Sequence, residues 1–73
     1  MATVDIKSEI TGTVCKIVMK EGDHLEENDA ILFIESMKME IPVLAPSPGT
    51  LRKIHVAEGD SIGEDDVLAT TES

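Results

Sequence analysis

Aromatic side chains are almost missing: there is no tryptophan, no tyrosine and one phenylalanine, Phe33. Any core must therefore be built from aliphatics, and a 73-residue chain is near the lower size at which such a core holds without staples. Cysteine is equally scarce. Cys15 has no partner in the chain, so no internal disulfide forms and nothing points to an oxidising compartment. Positive charge is short too, with six Lys and Arg against fifteen Asp and Glu, a formal charge of −9. That balance opposes nucleic acid and anionic membrane as partners, and favours solubility or a basic protein. The longest apolar run is Ala30–Ile34, too short for a signal peptide core or a membrane span, which predicts a cytoplasmic protein. The first strand-like run follows Met1 closely with no Ala/Pro linker, which predicts an independent small protein.

What the chain does contain is an internal repeat. A shift of 37 residues lays Gly12 through Ser36 over Gly49 through Ser73 without a gap. Identical pairs include Gly12/Gly49, Lys16/Lys53, Glu21/Glu58, Gly22/Gly59, Asp23/Asp60, Asp29/Asp66 and Glu35/Glu72. Two copies fill the chain, predicting one domain over 1–73 with pseudo-two-fold symmetry. Within each copy the apolar residues alternate in short runs: Val4 and Ile6, or Ile41 and Val43, open it. The three-residue step from Val14 to Ile17, repeated from Leu51 to Ile54, breaks the period of two and predicts a bulge or bend. Glu21-Gly22-Asp23 and Glu58-Gly59-Asp60 are turns, and Asn28 and Asp65 can take positive φ in the turns that follow. Pro42 suits only an edge strand or a bulge. No stretch has a capped helical stripe. The expected fold is all-β: eight short strands, four from each copy, in a flattened barrel or sandwich of two pseudo-symmetric halves.

The joint between the copies is Glu35-Ser36-Met37-Lys38-Met39-Glu40. A hairpin with so short a connection normally uses Gly, Asn or Asp, and this one has none. Its side chains are then the reason for its sequence, and Lys38 at the tip is the candidate group. The alternative is an ordinary solvated lysine in an unusual loop. The repeat places the end of the copy-two strand at the C-terminus, so the lysine hairpin and the chain ends are expected at opposite poles. Lys7, Lys16, Lys20 and Lys53 fall on strand faces or near strand ends. His24 and His55 belong to no metal-ligand cluster, and the repeat pairs them with Ser61 and Val18. Cys15 pairs with Arg52, which predicts an exposed or semi-exposed position and argues against a catalytic thiol. No paired acid and base and no phosphate loop are present, so the chain reads as something other than an enzyme.

Glu35-Ser36-Met37-Lys38-Met39 resembles the attachment motif of the biotinyl/lipoyl domain family, usually Glu-Ala-Met-Lys-Met. Gly12-Thr13-Val14, Glu21-Gly22-Asp23, Ala30–Ile34, Ala45-Pro46 and Glu58-Gly59-Asp60 extend the likeness over essentially the whole chain. The resemblance implies a monomeric carrier with biotin on the Lys38 ε-nitrogen and Glu35, Ser36, Met37 and Met39 as the surrounding motif. A biotin protein ligase would load it, and a biotin carboxylase and a carboxyltransferase would use it. Ser36 stands where alanine is commonest, and there is no room for the protruding segment of some carboxylase carriers. Two other readings stay open: a lipoyl carrier of a 2-oxo acid dehydrogenase-type system using the same lysine, and an unmodified interaction module of the same fold.

Met37 and Met39 offer an adaptable apolar contact to a ligase, or else pack over the sheet end. Lipoyl domains look similar but carry an Asp-Lys-Ala type turn, whose acid would pair a polar ligase group. Leaving such a group buried and unpaired costs about 1–3 kcal/mol, roughly a ten- to hundredfold preference. Changing Met37→Asp and Met39→Ala together is therefore expected to shift loading from biotin toward lipoate, read as the ratio of rates with purified biotin and lipoate ligases. Unchanged rates would show that the methionines do not set the choice.

Overall fold

The computed structural model describes residues 2–73; Met1, and with it the expectation drawn from its nearness to the first strand, lies outside them. The strands are β1 (Thr3–Lys7), β2 (Gly12–Ile17), β3 (His24–Leu25), β4 (Ala30–Ser36), β5 (Met39–Leu44), β6 (Gly49–Ile54), β7 (Ser61–Ile62) and β8 (Val67–Glu72). They form two antiparallel four-stranded sheets, ordered β1-β8-β6-β3 and β5-β4-β2-β7. The all-β sandwich is as the alternation of apolar residues predicts. The halves of the repeat, however, are not the two sheets. Each sheet takes two strands from each copy, so every strand of one copy is sealed by strands of the other.

The bulge lies where the broken period put it. Register slips between Val14 and Lys16 against β4, and between Leu51 and Lys53 against β8, leaving Cys15 and Arg52 as the extra residues. Pro42 lies on β5, an edge strand of its sheet, where a missing N–H costs no ladder bond to a further strand. The core is wholly aliphatic: Val14, Leu25, Ile31, Leu32, Ile34, Leu51 and Leu68 are buried at its centre. Each contributes roughly 1.5–3 kcal/mol relative to exposure. Phe33, the one aromatic, is only half-buried on the other face of β4.

Several of the shared residues of the repeat are turn and cap residues. Gly22 and Gly59 have φ of 96° and 95°, and Asn28 and Asp65 have 72° and 71°, all in the left-handed region. Asp23, Asp29, Asp60 and Asp66 each accept a backbone N–H three residues upstream, from Lys20, Glu26, Ala57 and Gly63 at 2.7–3.0 Å. Glu58 reaches across to accept from Ile17 N, and Glu21 from Ile54 N, both at 3.0 Å. Much of the acidity is thus structural, which the charge balance alone did not reveal. The chain ends meet in register on the β1–β8 pair, where Thr3 faces Glu72 and Ser73 N donates to Ala2 O at 3.0 Å. The lysine hairpin occupies the equivalent place in the other sheet.

Gly12 and Gly49 recur because neighbouring backbone leaves no room for a side chain. A Cβ on Gly12 would stand 2.5 Å from Glu35 O, and one on Gly49 2.7 Å from Glu72 O. Gly12→Ala and Gly49→Ala are each expected to lower stability by about 1–3 kcal/mol through forced backbone shifts. The check is the denaturant midpoint, with unchanged midpoints showing that the strands have slack.

Candidate functional site

The β4–β5 ladder runs further than the sequence suggested. Glu35 faces Glu40 and Ser36 faces Met39, so the expected six-residue joint is a two-residue turn, Met37-Lys38. The cause is ordinary ladder pairing: strand register continues until only two residues remain to reverse the chain. Met37 has φ 52° and Lys38 φ 65°. Positive φ at both central residues is the type I′ geometry that matches strand twist, and Asn-Gly normally fills it. Two residues with full side chains in this region cost about 1–2 kcal/mol each.

Nothing in the fold recovers that cost by packing. Met37 is 92% exposed and Met39 61% exposed, which removes the reading in which they cover the sheet end. Lys38 is exposed and joins no ion pair among the described residues. Its ε-amine is free to approach another molecule's reactive centre. The other lysines sit differently: Lys7, Lys16 and Lys53 lie within β1, β2 and β6, and Lys20 in the loop after β2. Only Lys38 projects from a tight turn between two paired strands.

The base of the hairpin is anchored. Ser36 Oγ donates to Thr11 O at 3.0 Å, a bond that an alanine at this place could not make. Thr11 carries no sequence signal for this role, and its part as carbonyl acceptor was not foreseen. Glu35 and Glu40 are exposed and directly opposed across the ladder, an arrangement of like charges that destabilises slightly. In the second copy Glu72 has the Arg52 guanidinium at 3.4 Å, and Cys15 takes that place beside Glu35. Cys15 Sγ lies 3.4 Å from Phe33 O and 3.8 Å from Glu40 Oε2. Burial, then the Glu40 and Glu35 carboxylates, push its thiol pKa up, which disfavours the thiolate. His24 lies 3.6 Å from Glu26, and His55 bonds Thr70 at 2.8 Å, far along the fold from the hairpin. Among the described residues no three potential ligands gather around a metal position.

A family model described as "Biotin-requiring enzyme", biotin/lipoyl type, matches residues 4–71. The chain is a biotinyl/lipoyl attachment domain. The biotinylated protein TB7.3 of Mycobacterium tuberculosis is 49% identical to this domain over 41 residues, 56% of this chain and 58% of TB7.3. The 1.3S subunit of methylmalonyl-CoA carboxyltransferase from Propionibacterium freudenreichii is 44% identical over 36 residues, 49% of this chain and 29% of that subunit. The domain thus spans little more than half the length of the first curated relatives it matches, and less of the second. Among solved structures, the urea carboxylase of Kluyveromyces lactis superposes with a TM-score of 0.93 at 35% identity, over 99% of this chain and 6% of that one.

The turn geometry of the attachment domain carries a stability consequence. Asparagine tolerates the left-handed region better than methionine, and Met37 makes no buried contact that would be lost. Met37→Asn is expected to raise stability by about 1 kcal/mol. A thermal or denaturant midpoint measures this, and a lower midpoint would show that Met37 has a structural role.

Proposed function

We propose that this domain is a carrier, not an enzyme in its own right, with biotin joined by an amide to the ε-nitrogen of Lys38. The observation that supports this most directly is the strained tip itself. Two left-handed residues with large, exposed side chains flank no core and no internal charge, so their cost is met only by what they present outward. Amide formation requires an unprotonated amine set against an activated acyl adenylate, with AMP leaving and the amine's proton passing to solvent. A two-residue turn on a rigid ladder inserts one lysine into such a pocket and withholds those lying along strands.

Bound biotin supplies a ureido ring able to carry a carboxyl group. The domain's part is to hold that ring on a long tether and keep its local concentration high at two successive active sites. Met37 and Met39 offer each partner an apolar contact that adapts to different surfaces. Ser36 holds the hairpin's foot through its bond to Thr11 O. The proposed partners are a biotin protein ligase for loading, and a biotin carboxylase and a carboxyltransferase for turnover, with the domain acting as a monomer in the cytoplasm. The biotinylated relative, the carboxyltransferase subunit and the fold match within urea carboxylase support biotin over lipoate.

Lys38→Arg keeps charge and length and should leave the fold intact while abolishing labelling. A streptavidin blot with intact mass on ligase-treated protein reads this out. Labelling that persists on Lys16 or Lys53 would overturn the geometric selection, and a lipoyl mass in place of a biotinyl one would overturn the choice of cofactor.

A further inference from the structure

The edges of the two sheets leave a groove between β1 and β5 of ≈620 Å³, within the range of small-molecule sites. Its floor is Ile6, Ile10, Ile34, Ile41 and Val43, and its rim includes Lys7, Glu9 and Asp65. On the hairpin side the groove ends at the Ile34–Ile41 pair, two ladder steps from the Ser36–Met39 pair that closes the hairpin. Side chains alternate along β5, so the exposed Met39, outside the groove, shares one face with the groove residues Ile41 and Val43. On the opposite wall, Ile10 adjoins Thr11, whose carbonyl accepts the Ser36 hydroxyl at 3.0 Å. A second surface groove, of ≈590 Å³, lies between Ile17, Met19, Ile54 and Val56. It sits at the other end of β2 from the hairpin, since Thr13 faces Glu35 while Ile17 faces Leu32.

We propose that the β1–β5 groove is the resting site of the cofactor borne on Lys38, an inference that rests on the carrier reading above. Lys38 and Ile41 are three residues apart along the chain, at most about 10 Å, and an extended lysine stem with a pentanoyl chain reaches beyond that. The groove also suits the chemistry of the group. A bicyclic ureido ring has an apolar sulfur-bearing face, two N–H donors and one carbonyl acceptor. Aliphatic side chains line the floor, the Glu9 and Asp65 carboxylates accept at the rim, and Lys7, in no ion pair among the described residues, donates there. The docked ring shields apolar surface between partner visits, and a partner enzyme releases it by offering a tighter pocket.

The test uses the whole chain labelled at isoleucine methyl groups, loaded by a biotin protein ligase, and compared with the unloaded form by NMR. Intact mass first establishes loading. The expected result is movement of the Ile10 and Ile41 methyls with ring contacts to them, while Ile17 and Ile54 stay still. Ile41→Thr should undock the ring and make streptavidin association about threefold faster, as the competent fraction rises. A mass gain with Ile10 and Ile41 unmoved overturns the groove assignment and leaves the carrier reading intact. No mass gain overturns both. Shifts seen only on adding a carboxylase partner give the groove to the partner instead.

Discussion

Each copy of the repeat depends on the other for backbone hydrogen bonds it cannot make alone. The bulge in β2 leaves Ile17 N facing Glu58 of copy two, and the bulge in β6 leaves Ile54 N facing Glu21 of copy one. Unsatisfied backbone donors are costly where water is excluded, so a charge-assisted partner at each bend matters more than its exposure suggests. The strand exchange between sheets enforces the same dependence, because neither copy owns a complete sheet. A chain with so few aromatics thereby reaches a closed aliphatic core at this size.

That rigid base explains why the Met37-Lys38 turn can hold its conformation. The β4–β5 ladder pairs from Ala30 with Leu44 up to Ser36 with Met39, and Ser36 is tied sideways to Thr11. The turn is over-determined from below, so its own residues are released from conformational duty. Strain of this kind persists only where the surrounding structure imposes it. Stability is made in the carboxylate-capped turns and the core, and is given up at the tip, where side chains face outward.

The features legible in the sequence were those encoded locally. Gly22 and Gly59 announced turns, Asn28 and Asp65 announced positive φ, the Val14–Ile17 step announced the bulge, and a glycine-free hairpin singled out Lys38. Alternation states which face of a strand is buried but not which strand lies beside it, so the mixing of copies in each sheet was not readable. The same gap hid the length of the turn: Glu35, Ser36, Met39 and Glu40 look like loop until their cross-strand partners are known. Ser36 appeared only as a departure from alanine, because a hydroxyl's partner twenty-five residues away leaves no local trace. The acids read as solvating charge, although several are backbone caps.

The meeting of the chain ends has a topological consequence. Ser73 and Ala2 stand to one another as Ser36 and Met39 do, and Glu72 faces Thr3 as Glu35 faces Glu40. Every contact of the hairpin ladder thus has a counterpart at the seam, made by a hydrogen bond where the hairpin has a covalent turn. The architecture is that of a ring with two equivalent joints. Closing the seam with a short linker and opening the chain at the lysine turn would exchange the two joints while leaving the strand pairings as they are, so the order of the copies along the chain is immaterial to the fold.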